Sequence, residues 1–236
     1  MDFTLREVAI FSTVMRILIV CATPGEAVFS GADPGVSTGV AFKLPHPTHT
    51  IDVLITGVGM VATTYHLGRR LMQEQYDLAI NIGICGAFSR HLVGKTVIIN
   101  QDCFADFGAE DKEEFLDVFQ TGLMMDNDIP FKNGWLHSDA KVNHEILRNL
   151  PQVIGITVNK SSGRIETINK LSLKYKAGIE SMEGASFIYC CRMNKTPCLQ
   201  IRSVSNYIEP RNKSAWKIED ALSSLKKVME ELLGVL

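Results

Sequence analysis

The chain has 236 residues, 46% apolar and 21% charged, a globular composition with room for one large core. A formal net charge of −2 leaves no basic field for nucleic acid and no strong acidic tail. The longest clean apolar run, Ile17 to Ala22, is far too short to span a bilayer, so no membrane partner is expected.

The first fourteen residues carry Asp2, Arg6 and Glu7 and lack a signal-peptide layout. Met15-Arg16 directly precedes the first strand. Residues 1–14 are therefore read as an extension, non-native or disordered, ahead of a single domain over 15–236. Cys21, Cys85, Cys103, Cys190, Cys191 and Cys198 form no CxxC pair, and most sit in apolar runs. They read as reduced core residues of a cytoplasmic protein, not as a disulfide frame or zinc site. His46 and His49 are spaced HxxH, but Pro47 makes that a loop, and no metal is expected there.

Ile17 to Val20 is a buried strand by its β-branched run. It ends in Cys21-Ala-Thr-Pro-Gly-Glu26, a loop punctuated by Pro24 and Gly25. Val36 to Leu44 and Ile51 to Thr56 are strands beside turn-rich segments at 31–35 and 45–49. Gly57-Val-Gly-Met60 opens a helix whose Met60, Thr64, Leu67 and Leu71 share one face. Leu78 to Gly83 is apolar apart from Asn81, hence central, and runs into a small-residue turn, Ile84-Cys-Gly-Ala-Phe88. Thr96 to Gln101 is a further strand. Residues 105–140 are less regular and rich in Asp, Gly and Phe; an active-site insertion is expected there.

Val142 to Leu150 reads as a helix, and Ile154 to Val158 as a strand followed by Ser161-Ser-Gly163. Gly178 to Met182 is a short strand running into a helix from near Glu183, with Gly184 and Ala185 packing in its first turn. Cys198 to Val204 is a buried strand ending in Ser205-Asn206. The last helix, from about Ala215, places Leu222, Leu225, Met229 and Leu232 on one face. Strands and helices alternate without linker or repeat. The expected class is α/β, a three-layer αβα sandwich around a central, mostly parallel twisted sheet. Gly57-Val-Gly59 lacks the third glycine of a dinucleotide fingerprint and the Lys of a P-loop, so no nucleotide cofactor is expected.

Glu26, Glu183 and Asn206 each fall just after an apolar strand, and Arg202 lies inside one, where a charge needs a partner. In a parallel sheet all would gather at the carboxyl edge, where ligands bind. Two carboxylates, an amide and a guanidinium suit hydrolysis of a glycosidic bond. One carboxylate activates water while another holds the sugar as positive charge develops. Each residue also has a plainer reading. Glu183 favours a helix dipole, Glu26 is a loop acid, Arg202 forms a structural ion pair, and Asn206 ends a strand.

Thr-Gly-Val-Gly (56–59), Asn-Ile-Gly-Ile-Cys-Gly (81–86), Ser-Met-Glu-Gly (181–184) and Arg-Ser-Val-Ser-Asn (202–206) carry a resemblance. In this order and spacing they are similar to the nucleoside phosphorylase and nucleosidase superfamily, from Met15 to the C-terminus. Within it, Ala105 to Asp111 and Ser205 to Trp216 resemble segments of the futalosine hydrolase family. The resemblance implies a nucleoside phosphorylase-like fold and a cofactor-free enzyme releasing hypoxanthine from futalosine in menaquinone biosynthesis. It implies that Glu26 orients and deprotonates water, with Arg202 beside it, and that Met182 and Glu183 pack under and bind the ribose. Gly86 belongs to the matched motif at the substrate. Phe107, with Phe104 and Phe88, is a candidate for packing the substrate's aromatic groups, or an ordinary core aromatic. The resemblance also implies a homodimer or larger assembly whose neighbouring subunit closes the site.

Two departures bear on substrate. Adenine-releasing nucleosidases carry Asp where this chain has Asn206. An amide keeps an NH2 donor group, and a 6-oxopurine offers acceptors at both O6 and N7 where adenine offers N7 and a 6-amino donor, so Asn206 is read as favouring the 6-oxopurine. Ile84 stands where methylthioadenosine nucleosidases have a serine and cannot hydrogen-bond phosphate. Three alternatives stay open: a purine nucleoside phosphorylase using Arg90, a methylthioadenosine/S-adenosylhomocysteine nucleosidase, and a non-catalytic nucleoside-binding module.

Overall fold

The computed structural model describes residues 7–8, 14–30, 37–142 and 144–236. Apart from Glu7, Val8 and Val14, the expected N-terminal extension lies outside the described residues, as does Val36. The strands are β1 (Glu7–Val8), β2 (Arg16–Cys21), β3 (Ala41–Leu44), β4 (Thr50–Ile55), β5 (Leu78–Ala87), β6 (Thr96–Asp102), β7 (Gly108–Asp111), β8 (Glu114–Asp117), β9 (Leu136–His137), β10 (Lys141–Val142), β11 (Gln152–Thr157), β12 (Ile179–Ser181) and β13 (Cys198–Tyr207). The α-helices are α1 (Met60–Gln73), α2 (Glu145–Arg148), α3 (Ile165–Tyr175), α4 (Gly184–Met193) and α5 (Ile218–Leu233).

Among the described residues, nine strands form one sheet in the order β12-β11-β6-β13-β5-β2-β4-β3, with β9 on the edge of β6. Neighbours around β2, β4, β5 and β13 run parallel, while β3, β9 and the β6–β13 pair run antiparallel. β12 also pairs antiparallel with β5, so the sheet closes on itself at one end. Outside this sheet, β1 pairs with β10 and β7 with β8.

Alternation along the strands makes two faces. Ile17 and Ile19 of β2 and Leu78 and Ile80 of β5 pack with Leu225, Met229 and Leu232 of α5. Leu18, Val20 and Ala79 point the other way, against Leu67 and Leu71 of α1 and Phe187 and Ile188 of α4. Helices thus cover both faces of the sheet, as expected for an αβα sandwich with a mostly parallel centre. The six cysteines are all buried and unpaired to one another. No helix among the described residues is long and apolar enough to cross a membrane.

Several local expectations need correction. The segment read as a turn at 84–88 continues β5, because Cys85, Gly86 and Ala87 are paired with β13 on one side. On the other side, Gly86 and Ala87 are paired with β12. β13 likewise runs past Ser205-Asn206 to Tyr207. The buried face of α1 is set by Thr63, Leu67 and Leu71 rather than Thr64. Thr63 tolerates burial because its hydroxyl pairs with that of Thr56 at 3.3 Å. The helix expected over 142–150 is the single turn α2, and α3 is an additional helix.

Candidate active site

A cavity of about 440 Å³ opens where β2, β5, β12 and β13 end. That volume suits a small-molecule ligand. The tight turn Pro24–Ser30 after β2 carries Glu26 into it. Glu26 is only 6% exposed and is clamped from both sides. Its Oε2 accepts from the backbone N–H of Ala22 (3.1 Å) and Thr23 (3.0 Å) and from the Thr23 hydroxyl (3.2 Å). Its Oε1 accepts from the N–H of Ile84 at 3.0 Å. Burial pushes its carboxyl above the usual carboxylate range; Arg202 pulls it back down and Glu183 pushes it further up. A carboxylate so placed can take a proton from water.

Glu183 sits at the junction of β12 and α4 and lines the same cavity. The N–H of Gly59 donates to its Oε1 at 2.9 Å. Gly59 holds φ of 93° at the start of α1, a conformation open to glycine. The Gly57-Val-Gly59 motif therefore fixes a carboxylate rather than a pyrophosphate. Gly184 is equally constrained: a Cβ there would run into Asp102 and Gln200.

Arg202 is 0% exposed and stands behind the cavity wall, not in its lining. Its Nη2 donates to Asn81 Oδ1, and its Nη1 lies 3.8 Å from Glu183 Oε2. Its Nε and Nη1 have no hydrogen-bond partner among the described residues. A Cβ on Gly83 would meet Arg202 Nη1 and would stand 2.6 Å from Glu26 Oε1. One guanidinium thus faces two buried carboxyl groups across a bare glycine, an acidic surrounding that suits a cationic sugar transition state.

Asn206 is turned into the cavity by a bulge. Val204 pairs with Cys85 and Asn206 with Gly86, so Ser205 is the extra residue. The Ser205 hydroxyl donates to Asn206 Oδ1 at 2.8 Å, and Asn206 Nδ2 donates to Tyr207 O at 3.1 Å. Each amide atom keeps capacity for a ligand. Met182, Glu183, Glu26, Asn206 and Gly86 share this one cavity, with Ile84 between them. Trp216 and Arg211, from the segment after Asn206, line it too.

Phe107 is 49% exposed and does not line the cavity; nor do Phe104, Phe88 or any residue of 105–140. Instead that segment holds the β7–β8 hairpin and the β9 edge strand. Arg90 is not in the lining either, but stands beside it: it pairs at 2.9 Å with Glu209, which does line the cavity, and lies 4.2 Å from the Tyr207 ring centre. Sequence reasoning missed Glu180, which is buried, lines the cavity and accepts from the N–H (2.8 Å) and hydroxyl (2.5 Å) of Ser162. Its signal was the same as that of Arg202: a charge inside an apolar strand.

Fold and cavity together define an α/β protein of the nucleoside phosphorylase and nucleosidase class. The chain belongs to the phosphorylase superfamily, whose family model matches residues 16–236. It is 29% identical over 191 residues to the futalosine hydrolase of Streptomyces coelicolor, covering 78% of this chain and 79% of that one. It is 27% identical over 184 residues to the futalosine hydrolase of Thermus thermophilus, covering 77% of this chain and 80% of that one. A solved futalosine hydrolase of Helicobacter pylori has the same fold, with TM-score 0.77, 18% identity and coverage of 94% of this chain and 99% of that one. The 5'-methylthioadenosine/S-adenosylhomocysteine nucleosidase of Helicobacter pylori, solved with an inhibitor, gives TM-score 0.78 at 18% identity, covering 95% and 100%.

Proposed function

We propose that this chain is a futalosine hydrolase, an N-ribosyl hydrolase that releases hypoxanthine from futalosine without a cofactor. The observation that carries this reading is the convergence of Glu26, Glu183 and Asn206 on one cavity with Arg202 behind it. The relatives named above support the choice of nucleoside and its place in menaquinone biosynthesis.

Glu183, fixed by the Gly59 N–H, accepts from the ribose hydroxyls while Met182 packs beneath the ring. Asn206 bonds the departing purine and stabilises the charge it gains. Glu26, held by three backbone N–H groups, orients a water and takes its proton as the oxocarbenium-like sugar is captured. Arg202 lowers the Glu26 carboxyl against the push of burial and stands 3.8 Å from Glu183. Hydrolysis is favoured over phosphorolysis by Ile84 in the lining and by the pairing of Arg90 with Glu209, which occupies its charge.

The assembly is a homodimer or larger. Val58, 58% exposed at the cavity rim, continues into Val61, Tyr65 and Met72 on the exposed side of α1, an apolar stripe that a second copy would cover. Phe107 would reach substrate only from such a neighbour. Sedimentation at micromolar concentration tests this; a monomer there rejects it.

The reaction is tested by chromatography of the base released from futalosine, inosine, adenosine and methylthioadenosine, with and without phosphate. The expected result is phosphate-independent hypoxanthine from futalosine. Release only with phosphate, with a ribose 1-phosphate product, would make the protein a phosphorylase.

A further inference from the structure

We infer that Asn81, in the middle of β5, is a positioning residue for the hydrolysis: it tethers the Arg202 guanidinium within reach of Glu26 and Glu183 while leaving it hydrogen-bonded to neither. The inference rests on the nucleosidase reading above and concerns the group behind the two acids, not a contact to substrate.

The tether has a fixed sense. Asn81 is 1% exposed and stands between Ile80 and Ile82. Its Nδ2 donates to Val20 O at 3.0 Å, and its Oδ1 accepts from Arg202 Nη2. A flipped amide would set its oxygen against the Val20 carbonyl and its NH2 against a guanidinium that can only donate. One orientation alone therefore satisfies both neighbours. Val20 is the last β2 residue in register with β5; beyond it the chain leaves for the turn that carries Glu26. Arg202 pairs in register with Gly83, so its side chain leans back along β5, over the bare glycine, to reach the amide. Nearby positions of β5 thus divide the work at the reacting end. Asn81 holds Arg202, Gly83 leaves room for it, and the Ile84 N–H holds Glu26.

What the tether prevents follows from the acceptors around it. Arg202 Nε and Nη1 have no hydrogen-bond partner among the described residues, and Nη1 lies 3.8 Å from Glu183 Oε2. Both oxygens of Glu26 already accept hydrogen bonds, as do both oxygens of Asp102. Glu183 Oε1 accepts from the Gly59 N–H, while its Oε2 accepts from no described residue. A buried donor that loses its partner costs more than the bond itself, so it seeks the nearest open acceptor. A guanidinium released from Asn81 would close onto Glu183 Oε2. That movement would draw positive charge away from Glu26, whose carboxyl Arg202 lowers. It would also occupy the oxygen that Glu183 offers to the ribose. The other titratable groups facing Arg202 are Asp102 of β6 and the thiols of Cys21 and Cys85, and burial keeps both thiols protonated.

The test follows the Glu26 carboxyl by carbon-13 NMR of the glutamate-labelled full chain, assigned with Glu26→Gln, alongside the pH profile of kcat/KM for futalosine. Asn81→Leu fills the same space and removes both bonds. It should move the Glu26 titration to higher pH by about half a pH unit or more. It should also raise KM and lower kcat/KM by about tenfold to a hundredfold. Asn81→Ser, too short to bridge Val20 and Arg202, should act the same way and stands in if the leucine variant does not fold. In an Arg202→Met background, Asn81→Leu should leave the titration where Arg202→Met puts it, because nothing remains to tether. Folded Asn81 variants whose Glu26 titration stays in place or moves down would overturn the inference, as would an equal shift in the Arg202→Met background. A fall in melting temperature with an unmoved titration would mark the amide as purely structural. A wild type that releases no base from any nucleoside, yet shows the expected shifts by NMR, would overturn the hydrolase reading alone.

Discussion

The two ends of the cavity are held in different ways. At the end proposed for ribose and water, Glu26 and Glu183 are gripped largely by backbone N–H groups from Ala22, Thr23, Ile84 and Gly59. At the end proposed for the base, half of the bonds come from side chains: the Ser205 and Ser162 hydroxyls hold Asn206 and Glu180, beside two backbone bonds, Asn206 Nδ2 to Tyr207 O and the Ser162 N–H to Glu180. Backbone donors move only if strands move, so the reacting end has its geometry set by the fold. Side-chain donors can be exchanged one at a time, so the recognising end can be retuned without disturbing the reaction. Substitutions at the first end should therefore cost rate or stability, and substitutions at the second should change which base is accepted.

The largest effect is expected at Glu26. Glu26→Gln keeps the shape but loses the base, and should lower kcat by about a hundredfold to ten-thousandfold with base binding retained. Near-normal turnover would remove Glu26 from the reaction. In the wild type, the acid limb of kcat/KM should lie above the ordinary carboxylate value, because burial raises the Glu26 carboxyl. Activity is lost as pH falls through it.

Arg202→Met comes next and probes the shared counter-charge. Leaving Glu26 and Glu183 buried without the guanidinium should destabilise the fold by about 3–5 kcal/mol in urea unfolding. Since Arg202 lowers the Glu26 carboxyl, its loss should also move the acid limb to higher pH. An unmoved limb would mean that Glu26 is not the titrating group.

At the other end, Asn206→Asp should leave stability within about 1 kcal/mol and raise adenosine-type turnover relative to inosine-type turnover by about tenfold. An unchanged ratio would place recognition of O6 elsewhere and so blur the contrast between the two ends.

This contrast was only half legible in the chain. Glu26, Glu183, Arg202 and Asn206 were visible because each interrupts or ends an apolar run, and such runs report strands directly. What the runs do not carry is register. That Asn206 and Glu180 meet across Gly86 depends on a bulge at Ser205 and on closure of β12 onto β5, both long-range events. Gly86 itself was read as a turn because small residues resemble one, whereas pairing on both sides makes it strand. α3 went unread because only Ile168 among its residues is fully buried, so its apolar stripe is thin. The irregular composition of 105–140 signalled an insertion, but not that its residues would stand away from the cavity of their own chain.

The smallest effect is expected beneath the reacting end, at Asp102. Its carboxylate is buried under the first turn of α4, accepting from Thr157 Oγ1 at 2.9 Å and Gln200 Nε2 at 3.0 Å. Thr157 Oγ1 in turn accepts from the Ala185 N–H at 2.7 Å, tying this group to the helix that begins after Glu183. Burial pushes the Asp102 carboxyl up to about 7, against hydrogen bonds from Thr157 that lower it. A folded value above the unfolded one means that the folded state binds the proton more tightly. Stability from this group is therefore full below about pH 4 and is lost as pH rises through 7. Asp102→Asn should flatten that part of the stability profile. Gln200 Oε1 lacks a hydrogen-bond partner among the described residues, so a flipped Gln200 can accept from the new amide. The variant is then expected to be more stable than wild type at pH 8 by about 1 kcal/mol, with kcat nearly unchanged. A drop in kcat without a drop in stability would instead show that Asp102 charge is felt at Glu183, and that the reacting end reaches deeper into the sheet than its backbone clamps.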